Sequence, residues 1–133
     1  MVRYNFSGIK YKNKKIEYDG IKFDSKLECE RYKELKLLEK AKMIEDLRLQ
    51  VRLEIVPKQP GERNVVYVAD FMYFDKTLNK CIIEDTKGFK TKDYIIKRKL
   101  VKLKYCQDPA ICEFKETIQR RKKKWIKTIT QKH

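Results

Sequence analysis

A chain of 133 residues suits one compact domain. Its 34 Lys and Arg against 19 Asp and Glu leave a net charge of +15, a field suited to a polyanion, with nucleic acid the first candidate and a membrane surface the second. No apolar run is long enough to span a bilayer, and Met1–Tyr11 has no signal-peptide core, so a cytoplasmic location without a membrane partner is expected.

Residues 1–15 are basic and aromatic without a clear period and read as an N-terminal arm. Ile16–Phe23 can form a small hairpin around Asp19-Gly20. Ser25 supplies a helix N-cap, and Glu28 three residues on can complete a capping box. Leu27, Tyr32, Leu35, Leu38 and Ile44 recur at helical intervals, which predicts a helix from about Ser25 to Lys42.

Leu47–Pro57 alternates, with Leu49, Val51, Leu53 and Ile55 on one face of a half-buried strand that ends at Pro57. Lys58–Asn64 holds Pro60-Gly61 and reads as a turn. Val65–Phe74 and Cys81–Thr86 then form a β-hairpin. A four-residue turn at Lys76–Asn79 would set Asp70 directly opposite Asp85. Thr91 can cap a second helix, Lys92–Tyr105, with Tyr94, Ile95, Leu100, Val101 and Leu103 as its apolar stripe. Asp108-Pro109 ends it, and Ala110–Glu116 is a fourth strand. Residues 117–133 form a basic tail in which Ile118, Trp125, Ile126 and Ile129 allow an amphipathic helix. The order of elements in the domain, residues 16–116, is an αβββαβ sandwich of class α/β with a mixed central sheet.

Cys29, Cys81, Cys106 and Cys112 form no CxxC pair, and His133 is the only histidine, so a zinc site is not expected. Cys29 and Cys81 read as small apolar core fillers, and a disulfide framework is not expected.

Like charges opposite one another on a sheet are destabilising, and a divalent cation removes that penalty for Asp70 and Asp85. Asp85 and Lys87 share a strand face, so the Lys87 ammonium can hold a water or a phosphate beside them. Solvated strand-end carboxylates are the plain alternative. A bulge would exchange Glu84 for Asp85. Glu28 can bring a third carboxylate from the first helix or serve only as a cap. Glu30, about 200° round that helix, cannot face the sheet as well. Lys90, Lys92, Lys97, Arg98, Arg120, Arg121, Lys122, Lys123 and Lys124 would track a phosphate backbone, giving affinity without sequence specificity. Tyr94 and Trp125 can stack on bases or pack in the fold.

Asp70 followed by Asp85-Thr86-Lys87, with Ser25-Lys26-Leu27-Glu28 upstream, resembles the PD-(D/E)XK nuclease superfamily. The pattern DGIKFDSKLE … YVADF … EDTKG … KRKL is similar to small phage and prophage proteins of this kind, over roughly Tyr18–Glu116. The upstream S-x-L-E also resembles that of TnsA-type transposon endonucleases. Ala69 stands where the superfamily name has proline.

The resemblance implies a restriction-endonuclease-like core. It implies Mg²⁺, replaceable by Mn²⁺, bound by Glu28, Asp70 and Asp85, with Lys87 as the catalytic lysine. It implies DNA as partner, hydrolysed by a metal-dependent endonuclease that needs no small-molecule organic cofactor and acts in a bacterial host cytoplasm if phage-encoded. Without an evident sequence-reading module, cutting selective for branched or junction DNA by a homodimer is the expected form, by analogy with Holliday-junction resolvases. A non-catalytic DNA-binding or regulatory phage protein on the same fold is the alternative. A basic RNA- or ribosome-associated protein would explain the charge but not the paired aspartates.

Overall fold

A computed structural model describes residues 15–87 and 90–118. The N-terminal arm to residue 14 and the predicted tail helix, with Arg120–Lys124 and Trp125, lie outside the described residues. A two-stranded hairpin, β1 (Ile16–Tyr18) and β2 (Ile21–Phe23), precedes helix α1 (Lys26–Lys40). Three antiparallel strands follow: β3 (Ile44–Val56), β4 (Val65–Asp75) and β5 (Lys80–Lys87). Helix α2 (Lys92–Tyr105) crosses over to β6 (Cys112–Ile118), which pairs with β5 in parallel. The mixed sheet has the order β3-β4-β5-β6, and the protein is α/β. The sequence boundary at 116 therefore falls inside β6, which runs to Ile118.

Both predicted N-caps form. Ser25 Oγ accepts from the Glu28 amide and Thr91 Oγ1 from the Tyr94 amide, each at 3.1 Å. Helix α1 stops earlier than its apolar spacing suggests. Lys42 takes φ 64°, and the Met43 amide bonds back to the Leu38 carbonyl at 2.9 Å. Ile44 thus belongs to β3, not to the helix. The β4–β5 turn is Lys76–Asn79, where Asp75 Oδ1 accepts from the Thr77 and Leu78 amides. That turn fixes the hairpin register, with Phe71 opposite Glu84 and Tyr73 opposite Ile82.

Two apolar clusters lie on the two faces of the sheet. Cys29, Tyr32 and Leu35 of α1 pack with Phe23, Phe71, Tyr73 and Ile82. Tyr94 and Val101 of α2 pack with Leu53, Tyr67, Ala69 and Ile83. Leu103 is not part of the α2 stripe as predicted. It is 65% exposed, because Tyr94 and Val101 already point into the sheet.

The uniform alternation read for β3 is also corrected. Leu49 pairs with Phe71, and both pack on the α1 side. Val51 pairs with Ala69, and both pack on the α2 side. Residues two apart in a regular strand share a face. The inversion occurs at Gln50, held at φ 51°, opposite Asp70. Both strands change face at the same level, so their pairing survives on either side.

Candidate active site

The face inversion places the site. Asp70 lies at the level where β3 and β4 switch faces, one step beyond the last β4–β5 pair, Phe71 with Glu84. There its side chain takes over the ladder: Asp70 Oδ2 accepts from the Thr86 amide and hydroxyl, both at 2.9 Å. Asp85 is fully buried on β5. Its Oδ2 accepts from the Tyr67 hydroxyl and lies 3.2 Å from Lys87 Nζ. Its Oδ1 is buried with no hydrogen-bond partner.

Burial, and after it the adjacent Asp70 carboxylate, pushes the Asp85 pKa up to about 7, while Tyr67 and Lys87 pull the other way. Lys87 Nζ also lies 4.5 Å from the centroid of the Tyr94 ring. The strand-face argument for Asp85 and Lys87 holds.

Glu28 reaches the same place from the first turn of α1. It is 5% exposed, and its Oε2 accepts from Gln50 Nε2 at 2.8 Å. Burial, then the charges of Asp70 and Asp24, raise its pKa to about 7. Its amide takes the Ser25 cap, and its carboxylate is held by Gln50 and by the Asp24 backbone amide.

Glu84 is the carboxylate turned away. It is fully buried against α1 and accepts from Arg31 Nε and Nη2, from Tyr73 at 2.6 Å and from Thr117 at 2.9 Å. Burial opposes the Arg31 charge, but the Glu84 and Glu34 carboxylates overcome it and raise the Arg31 pKa. With four donors Glu84 is saturated, and of the two adjacent β5 carboxylates only Asp85 keeps an unpartnered oxygen. Glu30 points to solvent and pairs with Lys33.

The predicted polyanion contacts divide. Lys90 and Arg98 pair with Glu116 at 3.2 and 3.0 Å, and Lys97 lies 3.7 Å from Asp93. The Tyr94 hydroxyl donates to Glu116 as well. Lys92 is exposed. Arg120, Arg121, Lys122, Lys123 and Lys124 lie outside the described residues. An open groove between the β1–β2 hairpin and α1, lined by Tyr18, Lys33 and Leu37, holds none of these site residues.

Among the described residues no three His, Cys, Asp or Glu side chains form a ready-made metal cage. Mg²⁺ does not require one, since it keeps several waters and binds through one or two carboxylates plus substrate phosphates. Asp70 and Asp85 fit that demand, because the buried Asp85 Oδ1 lacks any other partner and the two carboxylates repel without a proton or cation between them.

A family model matches residues 8–125 of this sequence. The chain belongs to the DUF1064 family. That family is described as a protein of unknown function, and its match spans every element above. No curated protein and no solved structure matches the chain. Among the described residues no helix is long and apolar enough to cross a membrane.

Sequence reasoning missed Gln50, Tyr67 and Arg31. Gln50 falls on the polar side of the β3 alternation and is exposed, yet its amide reaches Glu28, and nothing in the pattern singles out Tyr67. The apolar alternation of β3 runs unbroken through Gln50, so no local signal marks it.

Proposed function

We propose that this protein is a metal-dependent DNA endonuclease of the PD-(D/E)XK type, with Glu28, Asp70, Asp85 and Lys87 as its catalytic set. The observation that carries the proposal is the buried, unpartnered Asp85 Oδ1 beside the Asp70 carboxylate, with Lys87 Nζ 3.2 Å from the other oxygen of Asp85. Three segments distant in sequence, α1, β4 and β5, supply these four residues.

Asp70 and Asp85 would hold Mg²⁺ or Mn²⁺, which supplies charge neutralisation at the phosphorus and a more acidic water. Asp70 is oriented by two bonds from Thr86, and Asp85 by Tyr67. Lys87 is braced between Asp85 and the Tyr94 ring, which leaves its remaining ammonium protons for a water or a phosphate oxygen. Glu28 adds negative charge at the edge of the site, and its carboxyl can take a proton. The exposed lysines of α2 and the +15 charge of the chain favour a polyanionic substrate bound without sequence reading. Branched or junction DNA, cut by a homodimer, is the substrate reading we favour, in a bacterial host cytoplasm if the protein is phage-encoded.

Asp70→Ala and Lys87→Ala are expected to abolish cutting and leave salt-sensitive DNA binding largely intact. Loss of binding in proportion to activity would contradict this assignment. The alternative is a DNA-binding or regulatory protein without turnover on the same fold. Tight binding by the wild type with no cutting on any substrate would select it.

A further inference from the structure

We propose that Gln50 is a positioning residue, whose left-handed backbone exists to aim its amide at Glu28 and hold that carboxylate toward Asp70. The inference rests on the nuclease reading and names a residue outside its catalytic set.

Three observations converge. Gln50 takes φ 51°, a conformation that a non-glycine residue adopts at a cost and that persists only where the surroundings impose it. Its Nε2 donates to Glu28 Oε2 at 2.8 Å, across 22 residues of sequence. It sits opposite Asp70, at the level where β3 and β4 both change face. A regular strand would keep Leu49 and Val51 on one face and carry the Gln50 side chain along the other. The kink instead separates Leu49 and Val51 and joins Gln50 to the site.

The interaction has a chemical purpose. Glu28 is 5% exposed, so its carboxylate has little water to hold it and depends on protein donors. An amide donor on Oε2 stabilises the carboxylate and fixes one oxygen. With one oxygen fixed by Gln50, the carboxylate keeps a set orientation toward Asp70. Such outer partners typically change metal affinity by 10–100-fold when removed.

Substitution by glycine separates the backbone role from the amide role, because glycine accepts positive φ without strain. Mn²⁺ alone would be titrated by electron paramagnetic resonance into wild type, Gln50→Gly, Glu28→Gln and the double variant, with urea unfolding in parallel. The expected result is that Gln50→Gly is at least as stable as wild type yet binds Mn²⁺ about 10-fold more weakly. In the Glu28→Gln background the same change should have no further effect. Equal Mn²⁺ affinity in wild type and Gln50→Gly overturns the positioning role and leaves the nuclease reading intact. A further loss in the double variant also overturns it, since Gln50 would then act independently of Glu28. Absence of Mn²⁺ binding and DNA cutting in the wild type overturns the nuclease reading, and the inference with it.

Discussion

Tyr67 donates its hydroxyl to Asp85 Oδ2, which leaves Asp85 Oδ1 as a buried oxygen with nothing bound to it. The contact crosses from β4 to β5 on the α2 side, and it ties the most buried carboxylate of the site to the core. Tyr67→Phe removes the donor and keeps the ring. At pH 8, where Asp85 is ionised, the loss should be about 1–3 kcal/mol. At pH 5 the carboxyl is protonated and the loss should be smaller. Urea unfolding at the two pH values checks both figures.

Glu84 and Asp85 are adjacent, and they should behave as opposites. Arg31→Met leaves Glu84 buried without its cation and should cost about 3–5 kcal/mol. Asp85→Asn should cost far less, or stabilise the metal-free protein, because it removes a charge that repels Asp70. Denaturation midpoints of the two variants give the comparison. Equal destabilisation would mean that Asp85 is a structural group like its neighbour.

The site also sets a pH dependence. Glu28 and Asp85 both have pKa values near 7 in the folded protein, against ordinary values of 4.5 and 3.8. The fold therefore favours their protonated forms. Their contribution is fully present below about pH 4 and is lost as pH rises through about 7. Stability of the metal-free protein should fall across that window, and Glu28→Gln should flatten the slope. Mg²⁺ competes with those protons, so its stabilising effect in thermal melts should be larger at pH 8 than at pH 5.5.

Glu116 has the opposite sign. Burial pushes its pKa up, but bonds from Tyr94, Arg98 and Lys90 outweigh it and lower the value to about 2. Its contribution is present above about 4.5 and disappears as pH falls toward 2. Glu116→Gln should destabilise the protein at pH 7 by about 1–3 kcal/mol and have little effect near pH 2. Melts of the variant at the two extremes test this clamp between α2 and β6.

Much of the fold was legible because its signals are local. Ser25 and Thr91 are caps whose hydroxyls reach amides three residues on, and Lys76–Asn79 is a short turn that fixes one register. The αβββαβ order and the nearness of Asp70 to Asp85 followed from these. What stayed hidden depends on distant partners or on a break in periodicity. The face change at Gln50 leaves the apolar alternation of β3 intact, so Leu49 and Val51 read as neighbours on one face although they pack against different helices. The role of Glu84 depends on Arg31 and Thr117, far away on α1 and β6. Ile44 matched the helical spacing but lies beyond a left-handed turn at Lys42 that no local residue announced.

Cleavage is the most direct test of the central claim. Labelled Holliday junction, fork, linear duplex and single-stranded DNA would each be incubated with wild type and Asp85→Asn in Mg²⁺, Mn²⁺ or EDTA. Metal-dependent cutting by the wild type, strongest on branched substrates, abolished by EDTA and absent in Asp85→Asn, is the predicted result. Cutting that persists in Asp85→Asn, or tight binding with no cutting in any metal, would contradict it.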